Sequence, residues 1–252
     1  MAAGSVKKVA RITPPPQPSP AAQGRGRSGA PRAPYFKETD RFYLWEDIYI
    51  KPGRVTHYLP NMGTDWSFDP ALRYPLFGLF GHLRPMGHAP RGMNLWEGDW
   101  KRITGMLSEQ FGAKPPAHGF ENWWARSNVD RAGGWDRLMI PGPGSLTLQQ
   151  IARGDKRPCV VQQIVRLRQG ARDDYLQWFG GEVAPAVEKA GWKALKWMGA
   201  IHSSLAITLV AAPDWSRLLD LAEVTPHPDP AWGADVDSHA MQAWAGCTYL
   251  QR

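Results

Sequence analysis

The feature that most constrains this fold is a short stretch that occurs twice. The first copy runs from Lys51 to Leu59 and the second from Arg168 to Leu176. A glycine, a tyrosine and a leucine occupy the same places in both copies, each pair 117 positions apart. A second pair of segments, 99–103 and 214–218, follows in the same order at a spacing of 115. Self-similarity of this kind predicts an internal duplication.

The patterning of apolar and turn residues predicts the same order of elements in each half: strand, helix, strand, strand, helix, strand. This is the order of a ferredoxin-like module. The predicted strands cover residues 42–50, 76–83, 93–97, 138–140, 159–167, 192–198, 205–210 and 244–250. The clearest predicted helices cover residues 99–112, 172–190 and 213–223. We therefore predict an α+β fold of two tandem modules, residues 37–154, which include long loops, and residues 155–252.

The excess of positive charge lies at the start of the chain. The formal net charge is +7, and residues 1–34 hold six basic and no acidic side chains. The remaining residues carry 24 basic and 23 acidic side chains and are close to neutral. A nucleic-acid-binding protein needs a basic face on its folded body, so this class is not expected. The proline-rich residues 1–36 are predicted to be a disordered basic tail, with an organelle transit peptide as the alternative.

Cysteine content and hydropathy limit the compartment and the kind of site. Two cysteines, Cys159 and Cys247, are too few for a disulfide framework or a zinc site. No apolar run reaches the roughly 20 residues that span a bilayer, and no signal-peptide core is present. We therefore expect a cytoplasmic protein with no membrane partner and no metal ligands.

Short motifs carry a resemblance to a known family. Lys51-Pro52-Gly53 follows the first predicted strand, and Asn94-Leu95-Trp96 lies in the third. Together with the duplicated order of elements, these motifs resemble the NIPSNAP family of dimeric α/β-barrel proteins over residues 40–252. Members of that family often begin with a Tyr-Glu-Leu-Arg strand, whereas this chain has Tyr43-Leu44-Trp45-Glu46 at that place.

The resemblance implies two antiparallel four-stranded sheets packed into a dimeric α/β-barrel type fold, with helices outside. Two modules of one chain would form that barrel without a partner, and further pairing into a homodimer is left open. The superfamily contains cofactor-free monooxygenases, lactone isomerases, stress-response proteins and haem-binding enzymes such as chlorite dismutases and aldoxime dehydratases. Fold alone therefore does not decide the function.

Three titratable residues are the catalytic candidates. His82 lies in the second predicted strand and would act as an acid, a base or a metal ligand if its sheet face lines the barrel. His57 precedes the first repeated tyrosine, and histidine titrates near neutral pH, as a general base must. Glu97 follows Trp96, and an apolar setting suits a carboxyl group to proton transfer. For each residue the alternative is a structural or solvent-facing role.

Thirteen tryptophans in 252 residues are an unusual number. Large aromatic side chains either anchor a core or form the wall of a pocket for an apolar or aromatic ligand. The second interpretation assigns substrate binding to Trp45, Tyr58, His88, Trp96, Trp123 and Trp124.

Our leading hypothesis from the sequence is a small-molecule enzyme that acts by proton transfer without a tightly bound cofactor. An isomerase, a lyase or a monooxygenase acting on an apolar or aromatic substrate in a Trp-rich barrel would fit. The first alternative is a non-enzymatic ligand-binding or scaffold protein of the NIPSNAP type. The second alternative is a haem-binding barrel enzyme.

Overall fold

The computed structural model describes residues 41–58, 76–82, 90–99, 128–157 and 159–243. Eight strands lie within these ranges: β1 (Arg41–Ile50), β2 (Leu76–His82), β3 (Arg91–Asp99), β4 (Arg131–Pro141), β5 (Cys159–Arg166), β6 (Lys193–Ala200), β7 (Leu205–Ala211) and β8 (Asp235–Ala243). The α-helical segments in the same ranges are residues 55–58 and 128–130, α1 (Leu148–Arg153), α2 (Arg172–Trp178), α3 (Ala184–Lys189) and α4 (Leu221–Val224). None of these helices is long and apolar enough to span a membrane.

The eight strands form one closed antiparallel barrel in the order β1-β3-β2-β8-β5-β7-β6-β4. In the first half the strands lie side by side as β4-β1-β3-β2. In the second half they lie as β8-β5-β7-β6, which is the same relative order. Two short ladders of three residue pairs each, β2–β8 and β4–β6, join the halves. The predicted α+β fold, with two antiparallel four-stranded sheets in one barrel, is therefore observed.

A glycine turns the chain after the first strand of each half. Gly53 (φ 77°) and Gly170 (φ 85°) both adopt the left-handed region, where a residue with a Cβ is strained. The helical residues 55–58 follow the first turn, and α2 follows the second. The two glycines of the repeat thus have the same conformation at equivalent points of the fold.

The helix predicted over residues 172–190 is present but changes type along its length. After α2 ends, the segment Phe179–Val183 is π-helical, and α3 begins at Ala184. Pro185 lies in the first turn of α3, where its missing N–H removes no hydrogen bond from that helix. A π-helical segment just before Pro185 therefore interrupts the helix that was predicted over residues 172–190.

Two strands include residues that were not predicted as strand. β8, Asp235–Ala243, covers residues that were not predicted as a strand, and the predicted closing strand, residues 244–250, lies outside the described part of the chain. The first half of β8 is polar, which is typical of a loop, yet it pairs with β5 from Arg166↔Asp235 onwards. β4 covers residues 131–141 and is much longer than the predicted strand, residues 138–140. The prediction was too short because Gly133 and Gly134 lie within β4, and glycine is uncommon in strands.

The helices predicted after the repeated Asp-Trp pairs have different outcomes. Asp214, the first residue of the second repeated segment, caps the helical segment after it, because its side chain accepts a hydrogen bond from the backbone N of Ser216 at 2.8 Å. The segment that follows is a 3-10 helix, Trp215–Asp220, continued by α4. Asp99 is the last residue of β3, and the helix predicted after it lies outside the described residues.

An outer apolar layer fills the space between the second sheet and its helices. It includes Tyr175, Phe179, Val187 and Trp197. Cys159, expected from the sequence to be a small buried side chain, belongs to this layer and is buried. The helices of this half are therefore held on the outer face of their sheet, and the inner face is left to line the barrel.

We predict that Gly53→Ala and Gly170→Ala each lower the free energy of unfolding by about 1 kcal/mol. No atom lies within 4 Å of an added Cβ at either position, so the cost comes from the backbone alone. Gly181→Ala is the matched control, because Gly181 has open space around it and lies in the π-helical segment. We expect that variant to be neutral or slightly stabilised in urea denaturation. Equal stabilities of all three variants would contradict the prediction.

Candidate functional site

Trp45 and Gln162 meet in the interior of the barrel. Nε1 of Trp45 donates a hydrogen bond to Oε1 of Gln162 at 3.4 Å. Trp45 lies on β1 and Gln162 on β5, and these strands are not neighbours in the sheet. Their side chains therefore meet across the barrel, which identifies the inward face of both strands. The residues are 117 positions apart, the same spacing as the repeated glycines.

Lys196 lies wholly inside the protein, with 0% of its surface exposed. Its Nζ donates a hydrogen bond to the carbonyl O of Leu146 at 2.6 Å. The same Nζ lies 3.6 Å from the centre of the Tyr43 ring. Tyr43 is two residues before Trp45 on β1, so both side chains lie on the inward face of that strand. Lysine is almost never fully buried without specific partners, so these contacts mark a polar site in the interior.

Glu97 connects this site to the outside of the barrel. Its carboxylate accepts hydrogen bonds from the Tyr43 hydroxyl at 3.1 Å and from the backbone N of Leu148, the first residue of α1, at 2.6 Å. It also pairs with Nη1 of Arg41 at 3.3 Å. The Arg41 side chain is 52% exposed and that of Glu97 is 16% exposed. Lys196, Tyr43, Glu97 and Arg41, here called the Lys196 cluster, thus lead from the interior to solvent.

Burial controls the protonation states in the Lys196 cluster. Removal from water holds the pKa of Lys196 well below its usual value, although the Glu97 charge opposes this shift. Burial also raises the pKa of Tyr43, and the negative charge of Glu97 raises it further. Tyr43 therefore keeps its proton at neutral pH and can donate a hydrogen bond. Lys196 has a larger neutral fraction than an ordinary lysine, and a neutral amine can accept a proton.

A second buried polar group lies on the other face of the first sheet. Oε2 of Glu46 accepts hydrogen bonds from Nδ2 of Asn94 at 2.9 Å and from Nε1 of Trp96 at 2.7 Å. Nδ2 of Asn94 also donates to the Tyr58 hydroxyl at 3.2 Å. Arg131 pairs with Glu46 at 3.7 Å and lies 5.6 Å from the Tyr58 ring centre. Burial raises the pKa of Tyr58 to about 12. We call these five residues the Glu46 cluster.

Trp96 and Glu97, which the sequence analysis assigned to one site, belong to different clusters. Trp96 and Glu97 are adjacent in β3, so their side chains point to opposite faces of the sheet. Trp96 therefore belongs to the Glu46 cluster and cannot form an aromatic wall beside Glu97. Tyr58 lies with Trp96 on that outer face, whereas Trp45 lies inside the barrel as expected.

His57 lies outside the barrel interior. Its side chain is 66% exposed, and Nδ1 is 3.7 Å from Oδ2 of the buried Asp130. Arg54 pairs with the same carboxylate at 3.5 Å. His57 and Arg54 thus both lie beside the Asp130 carboxylate. None of these contacts reaches the Lys196 cluster.

The other predicted site residues are less well defined. The backbone of His82 pairs with Met241 in the β2–β8 ladder, but its side chain is not among those described. His88, Trp123 and Trp124 lie outside the described residues. Their predicted roles in catalysis and substrate binding stay predictions.

The sequence analysis missed Lys196, Tyr43 and Gln162. A signal for Lys196 is present, because it is the one charged residue within the otherwise apolar run from Ala194 to Ala200. Gln162 likewise follows Cys159, Val160 and Val161 in a strand rich in valine. A polar residue inside an apolar strand indicates either the solvent face or a buried polar site, and only the closed barrel distinguishes the two.

No group of three or more His, Cys, Asp or Glu side chains among the described residues could hold a metal ion. The histidines with described side chains also do not suit a haem ligand. His57, His202 and His227 are exposed, and Nε2 of His239 lies 3.0 Å from Oδ2 of Asp237. We therefore derive no step that uses haem.

Comparisons with solved structures support the fold. A candidate monooxygenase from Fusobacterium nucleatum is similar with a TM-score of 0.54 at 7% identity, over 82% of this chain and 93% of that chain. A candidate chlorite dismutase has a TM-score of 0.48 at 12% identity, over 83% of this chain and 98% of that chain. A haem-binding protein from Thermus thermophilus has a TM-score of 0.45 at 9% identity, over 82% of this chain and 93% of that chain. Only the first score exceeds 0.5, and its identity shows a shared fold alone.

The chain matches none of the protein-family models, and no curated protein is detectably similar to it. What the comparisons show is therefore the fold that this chain shares with the candidate monooxygenase. Membership of the NIPSNAP family is not established by these comparisons.

We predict that the stability of the protein rises with pH because of Lys196. Between the lowered native pKa of Lys196 and its unfolded value of about 10.4, the unfolded chain binds a proton that the native protein does not. The free energy of unfolding therefore increases with pH by up to about 1.4 kcal/mol per unit. Lys196→Met should remove this increase as the pH rises toward that unfolded value, as measured by urea denaturation. The exposed Lys189→Met is the control, and an unchanged slope in Lys196→Met would refute the prediction.

We also predict that Trp96→Phe costs more stability than Trp197→Phe. Both substitutions remove an indole N–H from a buried tryptophan. Nε1 of Trp96 donates to a carboxylate, whereas Nε1 of Trp197 donates to the neutral carbonyl of Pro143 at 3.0 Å. Hydrogen bonds to charged groups contribute about 1.5–3 kcal/mol and neutral ones about 1. Chemical denaturation should show this difference, and a smaller loss for Trp96→Phe than for Trp197→Phe would contradict the prediction.

Proposed function

We propose that this protein is a small-molecule enzyme that transfers protons inside its barrel, with Lys196 as the proton acceptor and Tyr43 as a hydrogen-bond donor. The observation that supports this best is the buried Lys196 amine beside the Tyr43–Glu97 hydrogen bond. Three groups with different tasks lie in one cluster, and groups of this kind gather at catalytic sites.

The chemistry follows from the protonation states. A neutral Lys196 amine would take a proton from a carbon next to a substrate carbonyl. The substrate electrons would move to the carbonyl oxygen, and the Tyr43 hydroxyl, which stays protonated, would donate a hydrogen bond to that oxygen in place of Glu97. Glu97 would stabilise the ammonium group formed on Lys196, since the two charges are opposite. Return of the proton to another carbon would complete an isomerisation, and loss of a leaving group would complete a lyase reaction.

An apolar or aromatic body is proposed for the substrate. Trp45 lies in the interior beside the apolar side chains of Met93, Leu95 and Leu209. His82 is proposed as a second proton carrier, because its backbone lies opposite the buried Met241. The monooxygenase hypothesis is also retained, and the candidate monooxygenase of the same fold supports it only as an analogy.

We further propose that the halves arose by duplication, in the manner of a NIPSNAP-like module. The same strand order and the two left-handed glycines support this proposal. A pair of hydrogen-bonded polar side chains also recurs on the outer face of each sheet. Glu46 bonds to Asn94 at 2.9 Å in the first half, and Gln163 to Thr208 at 3.0 Å in the second, each across the ladder of its first and third strands.

The second candidate function is a non-enzymatic ligand-binding protein. The hydrogen bond from Nζ of Lys196 to the carbonyl O of Leu146 favours it, because this contact gives Lys196 a structural partner. A ligand, like a substrate, reaches the buried Lys196 and Gln162 only if the barrel opens. Arg41 and Glu97, at the solvent end of the Lys196 cluster, are where we expect that opening.

We predict that the protein catalyses exchange of protons for deuterium next to the carbonyl of aromatic ketones. Proton NMR in D₂O follows this exchange without knowledge of the final product. Lys196→Met should slow it by about 10²–10⁴-fold, the usual contribution of a general base. The exposed Lys189→Met is the matched control and should keep the wild-type rate.

Two outcomes would contradict the enzyme proposal. Exchange at the uncatalysed rate for a panel of aryl ketones and aldehydes would favour the binding protein. Exchange that survives in Lys196→Met would remove Lys196 from the mechanism. An absorbance band near 400 nm after incubation with haem would instead support the haem alternative.

A further inference from the structure

The orientation of the Gln162 amide is fixed by its neighbour. An indole N–H can only donate, so Nε1 of Trp45 must face Oε1 of Gln162, as it does at 3.4 Å. Rotation of the amide would place two donors against each other. Nε2 of Gln162 is therefore directed elsewhere, and it has no hydrogen-bond partner in the described part of the chain.

An unpaired donor at this place is costly. Gln162 is 0% exposed, and an unsatisfied buried polar group costs about 1–3 kcal/mol. Native proteins leave few such groups without a partner. On either side of Gln162 in the sheet, its ladder neighbours offer no replacement, since Leu209 is apolar and His239 contacts Asp237. An acceptor that enters the barrel would supply the missing partner.

Gln162 and Lys196 lie in one row across the inner face of the second sheet. Gln162 pairs with Leu209, and Leu209 pairs with Lys196. Two strand spacings separate their backbones, which is about 10 Å. A single small molecule can therefore accept a hydrogen bond from Nε2 of Gln162 and present a carbon to Nζ of Lys196.

The pairing of Trp45 with Gln162 also shows how one chain can build a site that a symmetric dimer cannot. Their spacing of 117 puts them at equivalent places of the two halves. In a symmetric dimer, two copies of one residue would face each other here. In this chain one half supplies an aromatic surface and the other an amide donor, so the interior has a polar side and an apolar side.

We infer that the ligand of the barrel interior is a neutral carbonyl compound with an aromatic or apolar body, and that Gln162 holds its carbonyl oxygen. Trp45 and Leu209 contact the body of the molecule. A neutral carbonyl suits the site better than a carboxylate, because Gln162 supplies a neutral donor and an uncompensated buried charge is costly. This inference rests on the proposed function for its second contact, at Lys196, but not for the contact at Gln162.

Binding of three matched compounds tests the inference. Acetophenone has the carbonyl, ethylbenzene lacks it, and benzoate replaces it by a charge. We expect isothermal titration calorimetry to show acetophenone binding at least about 10-fold more tightly than ethylbenzene, since a site with a buried donor rejects a ligand that lacks the acceptor. Gln162→Leu should reduce that preference to less than about 3-fold. Lys196→Met should keep the preference.

A second measurement uses the wild-type protein in case Gln162→Leu does not fold. The side-chain amide signals of Gln162 in a ¹⁵N–¹H spectrum, assigned with Gln162→Met, should move downfield with acetophenone and stay in place with ethylbenzene. Equal affinities for the ketone and the hydrocarbon would overturn the inference. So would tighter binding of benzoate, unmoved Gln162 signals, or no binding of any of the three compounds.

These results separate the inference from the proposed function. Ketone preference together with unchanged deuterium exchange in Lys196→Met would uphold the role of Gln162 and remove that of Lys196. Deuterium exchange that depends on Lys196, without a preference for binding the ketone, would uphold the role of Lys196 and remove that of Gln162.

Discussion

Closure of the eight strands into one barrel is the constraint on which the other features depend. A closed barrel has no free edges, and the inner side chains of opposite strands face each other across the interior. Trp45 and Gln162 meet only because β1 and β5 lie on opposite sides. Any polar group on the inner face is cut off from water and needs a partner within the barrel. The Lys196 cluster and the unpaired amide of Gln162 both arise from this condition.

The two halves share an architecture but not a chemistry. On the outer face, the first half has a carboxylate, Glu46, where the second has the neutral Gln163. Inside the barrel, an indole in one half faces an amide in the other. The two halves therefore place different polar groups at equivalent positions of the same strand order.

The sequence predicts the framework well because short-range signals determine it. Gly53 and Gly170 are needed for their left-handed turns. The strands β5, β6 and β7 can be predicted because they are runs of mostly apolar residues. Residues 235–243 were not predicted as a strand, because partners from β5 supply the stability that their polar sequence does not indicate. Local composition cannot show pairing of this kind, since the partner lies some 75 residues away in the chain.

The candidate site was predicted only in part, for a related reason. Glu97 was found because a carboxylate beside an aromatic residue is a visible pattern. Alternation along β3 would already have separated it from Trp96, whose side chain points to the other face. Lys196 and Gln162 were missed because a single polar residue in a strand has the same sequence signal whether it faces solvent or a closed interior. Knowledge of the barrel, which no local pattern provides, decides between these cases.

Lys196 is difficult to explain by stability alone. Its lowered pKa means that the native protein gives up a proton which the unfolded chain keeps, and that difference works against folding at neutral pH. Buried charged groups can often be replaced by apolar residues without loss of stability. The contacts of Lys196 with the Leu146 carbonyl and the Tyr43 ring do not prevent this lowering of the pKa. A residue that weakens the fold, in contact with a tyrosine and near a carboxylate, is better explained by a chemical task than by a structural one.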